Sequence, residues 1–157
     1  MLLVAIVLAA ATPSFQSVGR RLAVLGATHE VMTALHATRS ASIARGRPGT
    51  LCLTTRTLVC VAPGTERGVG FRTWIKRASG AASRFEPSDA LLATVPLSDD
   101  IEIRGSRAAV TFWPTARSGT TNTLTICDRR GISPPEQVVI SQSGRPRLAR
   151  ASAAACR

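Results

Sequence analysis

The sequence predicts an α+β protein: one long N-terminal helix, hydrophobic and then amphipathic, packed on a small antiparallel β-sheet head. Three observations carry this. Residues 1–11 are an unbroken apolar run, MLLVAIVLAAA. Beyond it, apolar residues recur mostly three or four apart, at Phe15, Val18, Leu22, Leu25, Met32, Leu35 and Ile43, with Arg20, Arg21, Glu30 and Arg39 between them. After residue 48 the pattern changes to short β-prone stretches punctuated by Gly, Pro and Ser. A helix followed only by strands belongs to the class in which a sheet packs on the helix.

The elements follow in order. No Lys or Arg precedes the apolar run and no small-residue cleavage site closes it, so it does not read as a secretory signal peptide. Pro13 falls inside the helical pattern, where it removes a backbone donor and is expected to kink the helix. Gly19 and Gly26 weaken it further. Arg45-Gly46-Arg47-Pro48 stops it, with Gly beyond the last turn and then Pro. The chain therefore divides into an anchor (1–18), an amphipathic helix packing on the head (19–46), and a β-rich head with a basic C-terminal tail (47–157). Within the head, 50–61 has two β-prone halves around Thr55-Arg56, a hairpin candidate, and 68–76 is a strand. Residues 77–89 read as a loop, and 90–95, 101–104, 108–113, 122–127 and 137–141 as short strands.

Charge and cysteine narrow the function. The formal net charge is +11, and 19 of the 20 basic residues are Arg, with Lys76 the exception. The excess is concentrated: residues 104–157 carry nine arginines against Asp128 and Glu136. Such a face suits an acidic partner. Aromatic residues make up 4% of the chain, which disfavours modules that stack bases on aromatic platforms. Cys52, Cys60, Cys127 and Cys156 lack the close pairs of structural zinc sites. An even count in an exported domain favours disulfides. Of three connectivities, Cys52–Cys60 with Cys127–Cys156 is preferred because each pair brackets a plausible hairpin; free buried cysteines are the alternative. The two loops would contribute about 2.6 and about 3.6 kcal/mol in the chain-entropy account.

Catalytic patterns are missing. His29-Glu30 and His36 are spaced i, i+7, not the i, i+4 a zinc-binding HExxH helix requires. Gly68-Val69-Gly70 lacks the third glycine of a dinucleotide loop and its βαβ setting. Asp99, Asp100 and Glu102 read better as a solvated loop and strand start than as a cation site. The expectation is a non-enzyme without cofactor, metal or small-molecule substrate.

Three stretches carry a resemblance: 109–119 (AVTFWPTARSG), 123–128 (TLTICD) and 138–147 (VVISQSGRPR). With the apolar start containing a proline, the helix end and the Thr50-Leu51-Cys52 strand, they make the chain resemble the GspH/FimT group of minor type IV pilins and pseudopilins. The resemblance implies a single-pass anchor in the bacterial inner membrane and a periplasmic head. It also implies other pilins as partners through the N-terminal helix, in a type IV pilus or a type II secretion pseudopilus. The family's leader, a Gly followed by Phe-Thr-Leu and then a glutamate before the apolar run, is not present, and that glutamate would align with Met1. Eleven helical residues span about 16 Å against a hydrocarbon core of roughly 30 Å, so a start codon placed too far downstream is the expectation, with a copy that cannot be processed as the alternative.

In FimT-like members that serve DNA uptake, a C-terminal Gly-Arg-x-Arg motif is implicated in binding double-stranded DNA. Gly144-Arg145-Pro146-Arg147 matches it position for position. Pro146 favours an exposed turn or edge. Arg145 and Arg147, two apart on an extended segment, would share a side and fork onto phosphates. Arg129, Arg130, Arg150 and Arg157 would widen the patch, and Arg39 on the helix is expected to matter little. Two alternatives stand beside this reading: a structural secretion pseudopilin without DNA binding, and a free periplasmic disulfide-bonded protein.

Overall fold

The computed structural model describes residues 2–62, 64, 67–77, 80–115 and 119–156, with 2–15 as backbone alone. Helix α1 spans Leu2–Arg45 and stays helical through Pro13, where a kink is expected; the anchor's side chains up to residue 15 lie outside the described residues. Its end is a Schellman cap. Gly46, at φ 60°, donates to the Ile43 carbonyl at 3.3 Å, and the Arg47 N–H reaches the Ser42 carbonyl at 3.2 Å.

Among the described residues nine strands follow: β1 Gly49–Thr54, β2 Arg67–Gly68, β3 Gly70–Ile75, β4 Ala90–Pro96, β5 Ile101–Gly105, β6 Ala109–Phe112, β7 Asn122–Asp128, β8 Glu136–Ile140 and β9 Pro146–Arg150. They form two antiparallel sheets, ordered β4-β3-β1-β6 and β2-β5-β7-β8-β9. Both lean on α1. Val24, Ala27, Val31 and Leu35 of the helix meet Leu51, Leu53, Phe71 and Phe112 of the first sheet and Ile103, Leu124, Ile126 and Val138 of the second.

That packing corrects the helix pattern read from sequence. Of the stripe named there, Leu35 is fully buried, but Val18, Leu22, Leu25 and Ile43 are 55%, 63%, 40% and 45% exposed. The face against the sheets is Val24-Ala27-Val31-Leu35, continued by Thr38 and Ser42, both fully buried. At about 100° per residue the two stripes stand roughly 140° apart on the helix. Small residues admit the sheets closely, and their hydroxyls are satisfied locally: Thr38 Oγ1 donates to the Ala34 carbonyl at 2.7 Å.

Two further differences concern strands. The hairpin expected over 50–61 is present in short form. Leu58 adopts φ 59°, the Thr55 N–H donates to the Val59 carbonyl and the Val61 N–H to the Leu53 carbonyl, both at 2.9 Å, and Thr54 bridges Cys60 antiparallel, while β1 pairs along its length with β3 and β6. Strand β9 was not expected, because its proline and arginines read as tail. Pro146 opens it, where a missing N–H costs no ladder bond, and the strand lies at a sheet edge.

The structure joins Cys52 to Cys60 and Cys127 to Cys156, with Cα separations of 5.7 and 5.8 Å. The first closes the return after β1. The second holds a short 3-10 turn, Ala153–Cys156, against β7.

Candidate nucleic-acid interface and helix surface

The Gly-Arg-Pro-Arg segment forms the second leg of a three-residue hairpin. The Gly144 N–H donates to the Ser141 carbonyl at 2.8 Å, and the Ser141 N–H donates to the Arg145 carbonyl at 3.3 Å. Gly144 sits at φ 70°, the left-handed conformation that closes a type I turn in this loop class. It is buried against Phe112. Past the turn, Ile140 pairs with Pro146, Val139 with Arg147 and Val138 with Leu148.

Since Val138 and Ile140 face the core, Arg147 points away from α1. Arg145, two residues earlier on the same leg, falls on that side too. Both are exposed, and among the described residues no carboxylate pairs with either.

The remaining arginines are not all brought to this edge. Arg150 stands across from Glu136 at the far end of β9, on the face shared with Pro146 and Leu148. Arg130 Nε lies 3.2 Å from Asp100, and Arg129 Nη1 donates to the Asp99 carbonyl at 3.3 Å, where β5 and β7 pair Ile101 with Asp128. Arg157 lies outside the described residues. Arg39, expected to stand apart, has its Nε 3.5 Å from the point a Cβ on Gly144 would occupy.

The acidic residues 99–102 are each engaged by arginine. Asp99 pairs with Arg56 at 2.6 Å, Asp100 with Arg20 and Arg130, and Glu102 with Arg104. The hydrogen bond from Arg20, reinforced by the charges of Arg130 and Arg20, holds the Asp100 carboxyl below its ordinary range despite some desolvation. Arg21 pairs with Glu136 at 2.7 Å. Arg20 and Arg21 thus clamp the helix to the head.

Above that clamp runs a groove of about 710 Å³ between α1 and the β8–β9 edge, lined by Leu25, Met32 and Leu148 with His29, His36 and Glu136 at its polar positions. The histidines are exposed surface groups on the helix stripe that the head leaves uncovered.

One buried site had almost no sequence signal. Lys76, 3% exposed, places Nζ 3.2 Å from Asp89 and from Glu86 and 3.1 Å from the Arg84 carbonyl, which donor and acceptors together fold loop 77–89 over β3. Burial alone would raise the Asp89 pKa. The N–H groups of Arg77 and Glu86 and the Lys76 ammonium together outweigh it and hold the carboxyl below its usual value. The hint was compositional: the only lysine in the chain is the buried cation, a compact charge whose three donors fit a closed site better than a guanidinium fork.

Residues 27–144 match the sequence profile of the family described as Type II transport protein GspH. Among solved structures, the type IV minor pilin FimU of Pseudomonas aeruginosa superposes with a TM-score of 0.55 at 20% identity, over 80% of this chain and 91% of that one. The minor pseudopilin EpsH from the Type 2 Secretion System of Vibrio cholerae superposes with a TM-score of 0.52 at 11% identity, over 81% and 96%. Comparison with curated proteins gives no match. Among the described residues no helix is long and apolar enough to cross a membrane.

Proposed function

Because the chain belongs to the GspH family of type II transport proteins, we propose that it is a non-catalytic minor subunit of a type IV pilus or type II secretion pseudopilus. Residues 1–18 anchor it in the inner membrane before assembly and enter the fibre core afterwards. Residues 19–46 carry the periplasmic head, 47–157, on the fibre. The observation that supports assembly is the second helix stripe. Val18, Leu22 and Leu25 are large, apolar and exposed, while a different stripe holds the head. Exposed apolar surface in a continuous row is the mark of an interaction site.

The finer reading is that the head captures double-stranded DNA through Arg145 and Arg147, whose exposed guanidiniums have no described carboxylate partner. Phosphate contacts carry no base information, so binding is expected to be independent of sequence and strongly dependent on salt. The test is the affinity of the full chain, in a neutral detergent, for labelled duplex at two salt concentrations. Arg145→Ala with Arg147→Ala should lower log K and flatten its dependence on log salt by about 1.8, at about 0.9 per phosphate lost. Parental behaviour of that variant would turn the hairpin into a plain basic turn. One observation favours the competing reading, a secretion pseudopilin without DNA binding: the family match ends at Gly144, before either arginine.

A further inference from the structure

A second group of arginines lies where α1 ends. Arg45, Arg47 and Arg77 line one cavity of about 530 Å³, completed by Ile75 and Ala90. All three are exposed, and the Arg47 guanidinium donates to the Arg77 carbonyl, which fixes one arm of the cavity. Among the described residues no carboxylate pairs with any of them. Glu86 and Asp89 are turned inward onto Lys76, and Asp89 Oδ1 accepts only the backbone N–H of Arg77 from this group. Arg45 sits in the last turn, where a cation complements the helix dipole, and Arg47 is held by its bond to the Arg77 carbonyl. Neither contact neutralises the three guanidiniums, which repel one another around the cavity unless an anion sits among them.

The cavity and the hairpin are mechanically joined. The Phe112 ring lies 3.2 Å from the Cβ position of Gly144. The Phe112 carbonyl is 3.0 Å from the Ser42 hydroxyl, which is 2.7 Å from the Arg47 carbonyl. Arg39 reaches the same point above Gly144 and precedes Arg45 by six residues, about 9 Å of helix rise. The hairpin and the cavity are thus linked through Phe112, Ser42 and Arg47, while Arg39 and Arg45 point about 120° apart around the helix.

We propose that the Arg45–Arg47–Arg77 cavity is a second backbone-phosphate site for duplex DNA, connected through Phe112 and Ser42 to the Arg145–Arg147 hairpin. This rests on the reading of the hairpin arginines as phosphate contacts. Guanidinium forks take phosphate oxygens bidentately. DNA would lie across the end of the head where α1 stops, rather than along the β9 edge alone.

The experiment compares double variants of the full chain in neutral detergent, reading fluorescence anisotropy of a labelled duplex between about 50 and about 200 mM salt. Arg45→Gln with Arg77→Gln should weaken binding and flatten the salt slope by about 1.8, and the corresponding Lys variants should restore the slope. Arg47 is left in place because it supports the loop. Arg129→Gln with Arg130→Gln, an equal loss of charge beside Asp99 and Asp100, should leave the slope unchanged. If the cavity variant keeps the parental slope while Arg145→Ala with Arg147→Ala loses it, the cavity is not a phosphate site and the hairpin reading survives. If neither pair changes the slope, the DNA reading itself fails and this proposal with it. An equal loss in the Arg129/Arg130 control means binding by net charge alone, and loss of fibre incorporation with intact DNA binding means an acidic pilin neighbour; either overturns the proposal. Thermal unfolding of each variant, expected to stay near the parental midpoint, shows that the fold is retained.

Discussion

The two stripes of α1 make a prediction that separates head stability from assembly. Leu35 is fully buried between the sheets, whereas Leu22 and Leu25 are 63% and 40% exposed and touch the head little. Leu35→Ala removes three carbons from a packed site and leaves a cavity, a change that costs about 3 kcal/mol. For a chain of this size, that lowers the melting midpoint by about 10 °C. Leu22→Gln with Leu25→Gln exposes no core and should change stability by no more than about 0.5 kcal/mol per site. The same double variant should, however, fail to enter fibres, because polar groups would have to be buried against neighbouring helices without partners. Circular dichroism melting of the detergent-solubilised chain gives the first quantity, and recovery of the protein in sheared fibres gives the second. A midpoint that falls as far for Leu22/Leu25 as for Leu35 would place both stripes in the head. Undiminished fibre recovery in the double variant would refute the assembly role of the exposed stripe.

Three more outcomes are expected. Asp89→Asn should destabilise the head at neutral pH, since it leaves the buried Lys76 ammonium without its inner carboxylate. The folded Asp89 pKa is depressed, so its contribution is fully present above the unfolded value of about 3.9 and is lost as pH falls through the folded pKa; unfolding midpoints of parent and variant should converge over that acidic window. Gly144→Ala forces a side chain into φ 70° and brings its Cβ to 3.2 Å from Phe112, so stability should fall by about 1 kcal/mol or more, with weaker duplex binding as the hairpin shifts. Cys127→Ser with Cys156→Ser should cost up to about 3.6 kcal/mol and make residues after Arg150 the first site of limited proteolysis, read by mass spectrometry.

The helix end and the change of period after Pro48 were legible because they are local: a glycine at C′, a proline two residues on, and alternation in place of three-and-four spacing. The side of α1 that meets the sheets was not legible in the same way. Periodicity weighs large apolar residues, and in this helix they stand on both stripes: Val18, Leu22 and Leu25 are exposed, while Val24, Val31 and Leu35 are buried. The buried row includes Ala27, Thr28, Thr38 and Ser42, residues that score as neutral or polar yet permit close approach. A helix that serves two partners carries two stripes, and a single sequence does not say which partner owns which.

The candidate site shows the same division between local and distant information. Gly144, Arg145 and Arg147 could be singled out because turn, proline and arginines lie within four residues. Nearness in sequence groups Arg150 and Arg129 with them, but register sends Arg150 to the opposite face and the β5–β7 ladder carries Arg129 to the opposite end. Arg39, more than a hundred residues away and set aside as helix surface, was brought to Gly144 because Phe112 packs beneath that glycine while its carbonyl docks on Ser42. No spacing rule in the sequence connects these three. The connection arises because the chain passes from β5 in the second sheet to β6 in the first, and β6 ends at Phe112, which meets both the hairpin and the helix terminus. A charge surface on this head is therefore a property of strand order, and arginine substitutions should be grouped by the end of the head they occupy, not by their distance along the chain.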